Sequence, residues 1–348
     1  MSHSMNRGLE LSPRNQSRDD GWRMSARDWR KIVMKSRALL IAAIVLAFSL
    51  PAVFAQEPGE KTFASPQDAG KALYEAVKAD DKPAMLAVLG QSASSIITSG
   101  DPVQDKNNGD TFVKRFEQMN RWEKETGGNE VLYIGADNWP FPFPVKKSAA
   151  GQWYFATKAG VEEILYRRIG RNEIAAIRVC NALVDAQQEY FQQTHDGDTV
   201  QQYAQKFISD EGKQNGLYWK VAEGQPESPI GPLVAYATGQ GYGGQHDTPQ
   251  PFHGYYFHIL TGQGANAIGG AKSYLVDGKM TGGYAFVAYP AEYRNSGVMT
   301  FLVDQNGIVI QKDLGPKTAD LAKAMTTYNP DKTWVTAEVP EQEETETE

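Results

Sequence analysis

Met299-Thr300-Phe301-Leu302-Val303-Asp304-Gln305-Asn306-Gly307-Ile308-Val309-Ile310-Gln311-Lys312 reads as two strands about a turn. β-Branched and aromatic residues fill both arms, and Asn-Gly accepts positive φ readily, so residues 299–303 and 308–312 are predicted to pair as a hairpin. The same grammar recurs upstream. Residues 273–276 and 279–280 flank Asp277-Gly278, residues 284–289 run to Pro290, and residues 255–260 follow Gly254. Five or six antiparallel strands over 255–312 are expected in one sheet, with a short helix at 318–325 covering one face.

Before this meander the apolar period changes from two to about 3.6 residues. Ser65-Pro66 opens a helix through Lys78, Ser as cap and Pro at the first helical position. Helices are also expected at 83–89 and 111–122, and a strand at 130–134. Asn138-Trp139-Pro140-Phe141-Pro142-Phe143-Pro144 follows. Prolines at alternate positions forbid a central strand but suit an edge whose aromatics dock on a core. Residues 151–157 complete a hairpin through a turn at 148–151. The longest helical stretch is 161–193, with Gly170 expected to kink or break it at about 1 kcal/mol relative to Ala. A further helix is expected at 200–208 and one helical turn at 233–237. The fold class is therefore α+β: N-terminal helices with a small antiparallel sheet, a long central helix, and a C-terminal antiparallel β-meander. The expected organisation is an export signal with an N-terminal extension over 1–55, an α+β domain at 62–158, a central helical segment at 160–210 and a β domain at 211–334. An acidic disordered tail at 335–348 ends the chain.

Lys35 and Arg37 precede thirteen apolar or small residues, 38–50, and Val53 and Ala55 supply the small-residue cleavage pattern. A bilayer-spanning helix needs about 20 apolar residues, and Pro51 ends this run sooner. Cleavage is expected between Ala55 and Gln56, giving a periplasmic or secreted location with no membrane span after cleavage. Gln56 in place of Cys leaves no lipid attachment point. Removing 1–55 leaves 26 basic and 38 acidic residues, a balance that repels nucleic acid. Cys180 is the one cysteine in 348 residues, so an exported chain has no internal disulfide and depends on its core. Cys180 falls among Ile177, Val184 and Phe191 at helical spacing and reads as a packed thiol.

Few residue patterns point to chemistry. His246, Asp247, His253 and His258 could hold zinc, but the spacing matches no zinc-protease helix, and ordinary loop or strand histidines are the favoured reading. No metal and no cofactor are expected. Gly239-x-Gly241-x-x-Gly244 matches a dinucleotide fingerprint by letter, yet no strand precedes it and no helix is expected after it. Asp101, Asp105, Asn107 and Asp110 are one residue out of step with a calcium loop and read as a turn. Arg167, Arg168 and Arg171 lie within just over one helical turn. Glu163 can neutralise Arg167 at i,i+4, and the cluster could otherwise bind a carboxylate, phosphate or uronic acid. With Trp139 and Trp219 they form the candidate ligand-binding set.

Several stretches together carry a resemblance. They include Ser99-Gly100-Asp101-Pro102-Val103, Trp139-Pro140-Phe141-Pro142, Ile164-Leu165-Tyr166-Arg167-Arg168-Ile169-Gly170-Arg171-Asn172-Glu173 and Gly216-Leu217-Tyr218-Trp219. Further on come His253-Gly254-Tyr255-Tyr256-Phe257, Tyr289-Pro290-Ala291-Glu292-Tyr293, Gly297-Val298-Met299-Thr300-Phe301 and Lys312-Asp313-Leu314-Gly315. In this order, over about 63–334, the chain resembles the bacterial exported family catalogued as domain of unknown function 2950. That resemblance implies no activity and no catalytic residues. Residues 283–315 also resemble the C-terminal meander of pilin-like exported proteins. The functional expectation is a non-catalytic binding or assembly module in the periplasm, its partner an envelope protein or an anionic polymer. The alternatives are a hydrolase, metal-assisted through the 246–258 region, and an accessory protein of a surface appendage.

Overall fold

The computed structural model describes residues 60–338, except 126, 223 and 244–249. The expected leader with its expected Ala55–Gln56 cleavage point, His246, Asp247 and the Glu-rich end of the chain lie outside the described residues. Helix α1 (Pro66–Lys78) starts where Ser65, in an extended conformation, accepts a hydrogen bond from the Asp68 N–H at 3.1 Å. Helix α2 (Lys82–Leu89) is capped the same way by Asp81. A 3-10 turn (Gln91–Ala93), α3 (Ser94–Ile97) and α4 (Pro102–Gln118) follow.

A first sheet comprises β1 (Asn120–Lys124), β2 (Glu130–Ile134), β3 (Trp139–Pro140), β4 (Val145–Lys147) and β5 (Trp153–Phe155), ordered β1-β2-β4-β5 with β3 also on β2. Alternate prolines limit β3 to two residues, while Phe141 and Phe143 turn inward. With Leu73, Leu132, Ile134 and Phe155 they build the first apolar cluster.

Helix α5 (Lys158–Phe191) runs unbroken for 34 residues, so the expected break at Gly170 is absent. Arg168 and Asn172, on either side of that glycine, are both anchored to other elements, which holds the helix through its weakest point. Its buried face of Ile177, Cys180, Leu183 and Val184 belongs to the second apolar cluster. Burial pushes the Cys180 thiol up to about 12, as expected of a packed, unreactive cysteine.

Residues 200–208 form no helix, contrary to expectation. The spacing of Val200, Tyr203, Ala204, Phe207 and Ile208 suits a helix, but tertiary partners take the backbone. Ala204 exchanges two hydrogen bonds, each 2.8 Å, with the Gln187 amide of α5, and Tyr203 N–H reaches Met280 O at 2.9 Å. Residues 206–209 bond across to 216–218 instead. The 111–122 expectation also fails at both ends: α4 begins at Pro102, and Trp122 lies in β1. Asp101 and Asp105 are therefore helix-start residues, and the turn expected there is corrected.

After α6 (Gly231–Gly239) come β6 (Tyr255–Leu260), β7 (Gly262–Gln263), β8 (Lys272–Ser273), β9 (Leu275–Val276), β10 (Lys279–Met280), β11 (Ala285–Pro290), β12 (Met299–Asp304) and β13 (Ile310–Asp313). Helix α7 (Thr318–Lys323) precedes β14 (Thr327–Tyr328) and β15 (Val335–Thr336). The main sheet is ordered β15-β13-β12-β11-β6 and is antiparallel throughout. The single meander expected over 255–312 is corrected in two ways. The β9–β10 hairpin is a separate ribbon, and β7 joins β8 and β14 in a small sheet whose β7–β14 pairing is parallel. The Asp277-Gly278 turn has φ +51° and +77° and links Val276 to Lys279 directly, the two-residue loop expected. At Asn306-Gly307 the register Leu302↔Ile310 centres the turn on Asn306, one step from a two-residue loop. Asp304 accepts from Asn306 N–H at 3.0 Å, and Gly307 takes the left-handed position at φ +75°. Among the described residues no helix is long and apolar enough to cross a membrane.

Candidate functional site

Among the described residues a concentration of buried polar groups lies where α4, α5, Tyr242, residues 253–254 and the 291–298 turn meet. Asp101 is wholly buried at the start of α4, with Pro102 at the first helical position. Its Oδ1 accepts the Gln104 N–H at 3.0 Å, the ordinary cap bond. Its Oδ2 accepts the Tyr242 hydroxyl at 2.8 Å and the Gly254 N–H at 2.9 Å. One carboxylate thus ties a helix start to a segment about 150 positions away. Three donors and the helix N-terminus stabilise the charge that burial would otherwise penalise.

Helix α5 supplies the opposite wall. Arg168 is 3 % exposed, and its guanidinium donates to Ser95 O at 2.8 Å, Ile96 O at 2.6 Å and Asn295 Oδ1 at 2.7 Å. One turn on, Asn172 Nδ2 donates to Ser296 O at 2.8 Å, and its Oδ1 accepts from Gln104 Nε2 at 2.8 Å. Glu173 Oε1 accepts the N–H groups of Val298 and Met299 at 2.9 and 3.0 Å. Gly254 fits only as glycine: its φ is +73°, and an added Cβ would fall 2.5 Å from Asn172 Nδ2.

The electrostatics follow from burial. It pushes the Asp105 carboxyl up, against the two hydrogen bonds from Ser99 N–H that favour its charge. Glu173 is raised for the same reason, and Tyr242 is raised by burial together with the adjacent Asp101 charge. Burial lowers the His253 imidazole, and the nearby Asp101 charge opposes that shift. Such shifted groups in one place are the usual sign of an active site. Here, however, Asp101, Arg168, Asn172 and Glu173 each bond to partners from other elements of the fold. The arrangement can hold segments together, and Asp101 is wholly buried within it among the described residues. A groove of about 350 Å³ lies elsewhere, between α1 and α2, lined by Lys61, Ala72, Glu75, Ala76, Asp81 and Val88 among others.

The structure separates the three arginines singled out in the sequence. Arg168 is the internal clamp just described. Arg167 pairs with Glu163, Nε and Nη2 at 2.9 and 2.8 Å from one oxygen. Arg171 is exposed, with no hydrogen bond or ion pair among the described residues, and faces the like charges of Arg168 and Arg167. Trp139 and Trp219 pack against different apolar clusters. Trp139 is half-buried beside Phe141, with the Arg115 guanidinium 5.6 Å from its ring centre. Trp219 flanks His195 and Tyr190 at the C-terminal end of α5. His253 packs against Phe252 and Tyr242, whereas His258 bonds to Met325 O at 2.9 Å from within β6. Among the described residues no group of three or more His, Cys, Asp or Glu side chains is arranged to hold a metal.

Asn172, Tyr242, Asn295 and Ser296 were not singled out as individual site residues. Asp101 reads in the sequence as a turn residue, and nothing in local spacing links it to Tyr242 or Gly254.

A family model described as "Protein of unknown function (DUF2950)" matches residues 60–337. The chain belongs to this family. The span matched by the DUF2950 model takes in both apolar clusters and every residue of the polar junction. The family stretches 99–103, 167–173, 253–257, 289–293 and 297–301 all contribute to that junction or border it. No curated protein and no solved structure matches the chain.

Proposed function

We propose that this member of the DUF2950 family is an exported, non-catalytic binding or assembly module of the cell envelope. The observation that carries the reading is the use made of its buried polar groups. The carboxylates, guanidinium and amides that could serve as acid, base or anion hole are spent in bonds between segments, leaving recognition to the surface. The leader over 34–55 supports export to the periplasm or medium.

On the surface, Arg171 is a cation without a partner among the described residues, on a chain of net charge −7. An anionic polymer bearing carboxylates, such as a uronic acid chain, is the ligand chemistry this suits. Binding of polygalacturonate to the purified protein tests it. Arg171→Ala should weaken binding while shifting stability by less than about 0.5 kcal/mol, as expected of an exposed side chain. A large stability loss without any change in binding rejects the ligand role of Arg171. Turnover of ester or glycoside substrates by metal-free protein would reject the non-catalytic reading itself.

A further inference from the structure

The outer strands of the two larger sheets are guarded unequally. Strand β1 carries Arg121, Glu123 and Lys124, and β15 is only two residues long, between Lys332 and Glu338. Short or charged edges resist pairing with another chain. Strand β6, the other end of the main sheet, is Tyr-Tyr-Phe-His-Ile-Leu. It lies in a stretch from Thr248 to Ala271 that contains no Asp, Glu, Lys or Arg.

Its hydrogen-bonding pattern can be followed residue by residue. Tyr255 exchanges two bonds with Phe252, at 2.8 and 3.1 Å, so its main-chain groups point away from β11. Alternation along a strand then points Phe257, Ile259 and Thr261 the same way. Thr261 is satisfied, its N–H on Thr326 O at 3.0 Å and its C=O accepting Tyr274 N–H at 2.8 Å. Phe257 and Ile259 have no main-chain partner on that side among the described residues. The open edge is therefore a window of two donors and two acceptors, symmetric about His258.

We propose that this window pairs with the same window of a second copy, antiparallel about a two-fold axis at His258. Phe257 then faces Ile259 of the second copy, His258 faces His258, and Ile259 faces Phe257. All four open groups on each chain are used, and the sheet continues from one copy into the next. Two features select a second copy over an unrelated strand. The window is its own complement, closed on both sides by Tyr255 and Thr261, so a longer guest gains no further bonds. The charge-free stretch also lets two acidic chains approach here without opposing carboxylates. This pairing is independent of the polymer-binding proposal, because Arg171 takes no part in it.

The test uses the full chain purified from a bacterial host. Sedimentation should show a reversible monomer–dimer equilibrium at micromolar chain concentration. In the proposed register the two His258 positions form a non-hydrogen-bonded pair, with Cα atoms about 4.5 Å apart, within disulfide range. His258→Cys should therefore cross-link on mild oxidation, while Ile308→Cys, exposed but remote in the register, should not. Ile259→Lys should shift the protein to monomer while keeping the circular dichroism spectrum of the parent. The proposal is overturned by a monomer at all concentrations, by equal cross-linking through Ile308→Cys, or by a dimer unaffected by Ile259→Lys.

Discussion

The second apolar cluster and the polar junction are both buried, yet they hold the molecule by different physics. Around Cys180, Leu183, Phe286 and Phe301, burial removes apolar surface from water, and any one side chain contributes in proportion to its size. At the junction, Asp101, Arg168 and Asn172 are buried as polar or charged groups, and each is tolerable only because its partners are in place. A core can lose a methyl group and relax. A junction that loses one partner leaves the others buried and unsatisfied. The junction also joins α3 and α4, on the side of the first cluster, to the turn at 291–298 beside β12. Its integrity therefore decides whether the two clusters unfold together.

Arg168→Met should break this comparison most severely. It keeps much of the side-chain volume but strips three acceptors, two carbonyls and one amide oxygen, of their donor. A cost of about 3–5 kcal/mol is expected for opening a buried charged network, measured by urea unfolding. Asp101→Ala comes next. It removes a helix cap and leaves Tyr242 and the Gly254 N–H without their acceptor, at about 2–3 kcal/mol. Cys180→Ala probes the contrasting region and should cost only about 1 kcal/mol, as a small cavity. The native Cys180 thiol should react with a thiol reagent only after denaturation.

The smallest effect is one of slope. Burial depresses the His253 imidazole, so its neutral form belongs to the folded state. A base depressed on folding contributes fully above its unfolded value, about 6.5, and that contribution is lost as pH falls below it. Stability should therefore decline from pH 7 toward pH 5. His253→Asn, which suits the left-handed backbone at φ +49°, should flatten the decline. An unchanged slope in that variant would move the titration to another group.

The comparison also explains what the sequence could disclose. Apolar periodicity and turn chemistry are local, so α1 with its Ser65 cap, the buried face of α5 and the Asp277-Gly278 hairpin were legible. Residues 200–208 had helical spacing, but the Gln187 amide on α5 offered Ala204 a donor and an acceptor that no local pattern displays. The first half of α4 was hidden because its contacts are polar: Gln104 meets Asn172, and Asn107 meets Gln240 O at 2.8 Å. The arginine cluster was visible as a cluster. The Arg167–Glu163 pair was legible at i,i+4, but the Arg168 clamp depends on elements 72 to 127 positions away, which spacing along a helix cannot reveal. Membership of the family was legible from motifs, whereas the junction those motifs build required the fold.

Hydrogen exchange under native conditions, comparing the parent chain with Arg168→Met, tests the central claim most directly. If the junction couples the two clusters, the parent should show its slowest exchange at one common opening free energy in α1, β2, β11 and β12. In Arg168→Met, α1 and β2 should then exchange faster than β11 and β12, as the first cluster opens without the second. Equal acceleration in all four elements, or none in any, would contradict a junction that latches two cores.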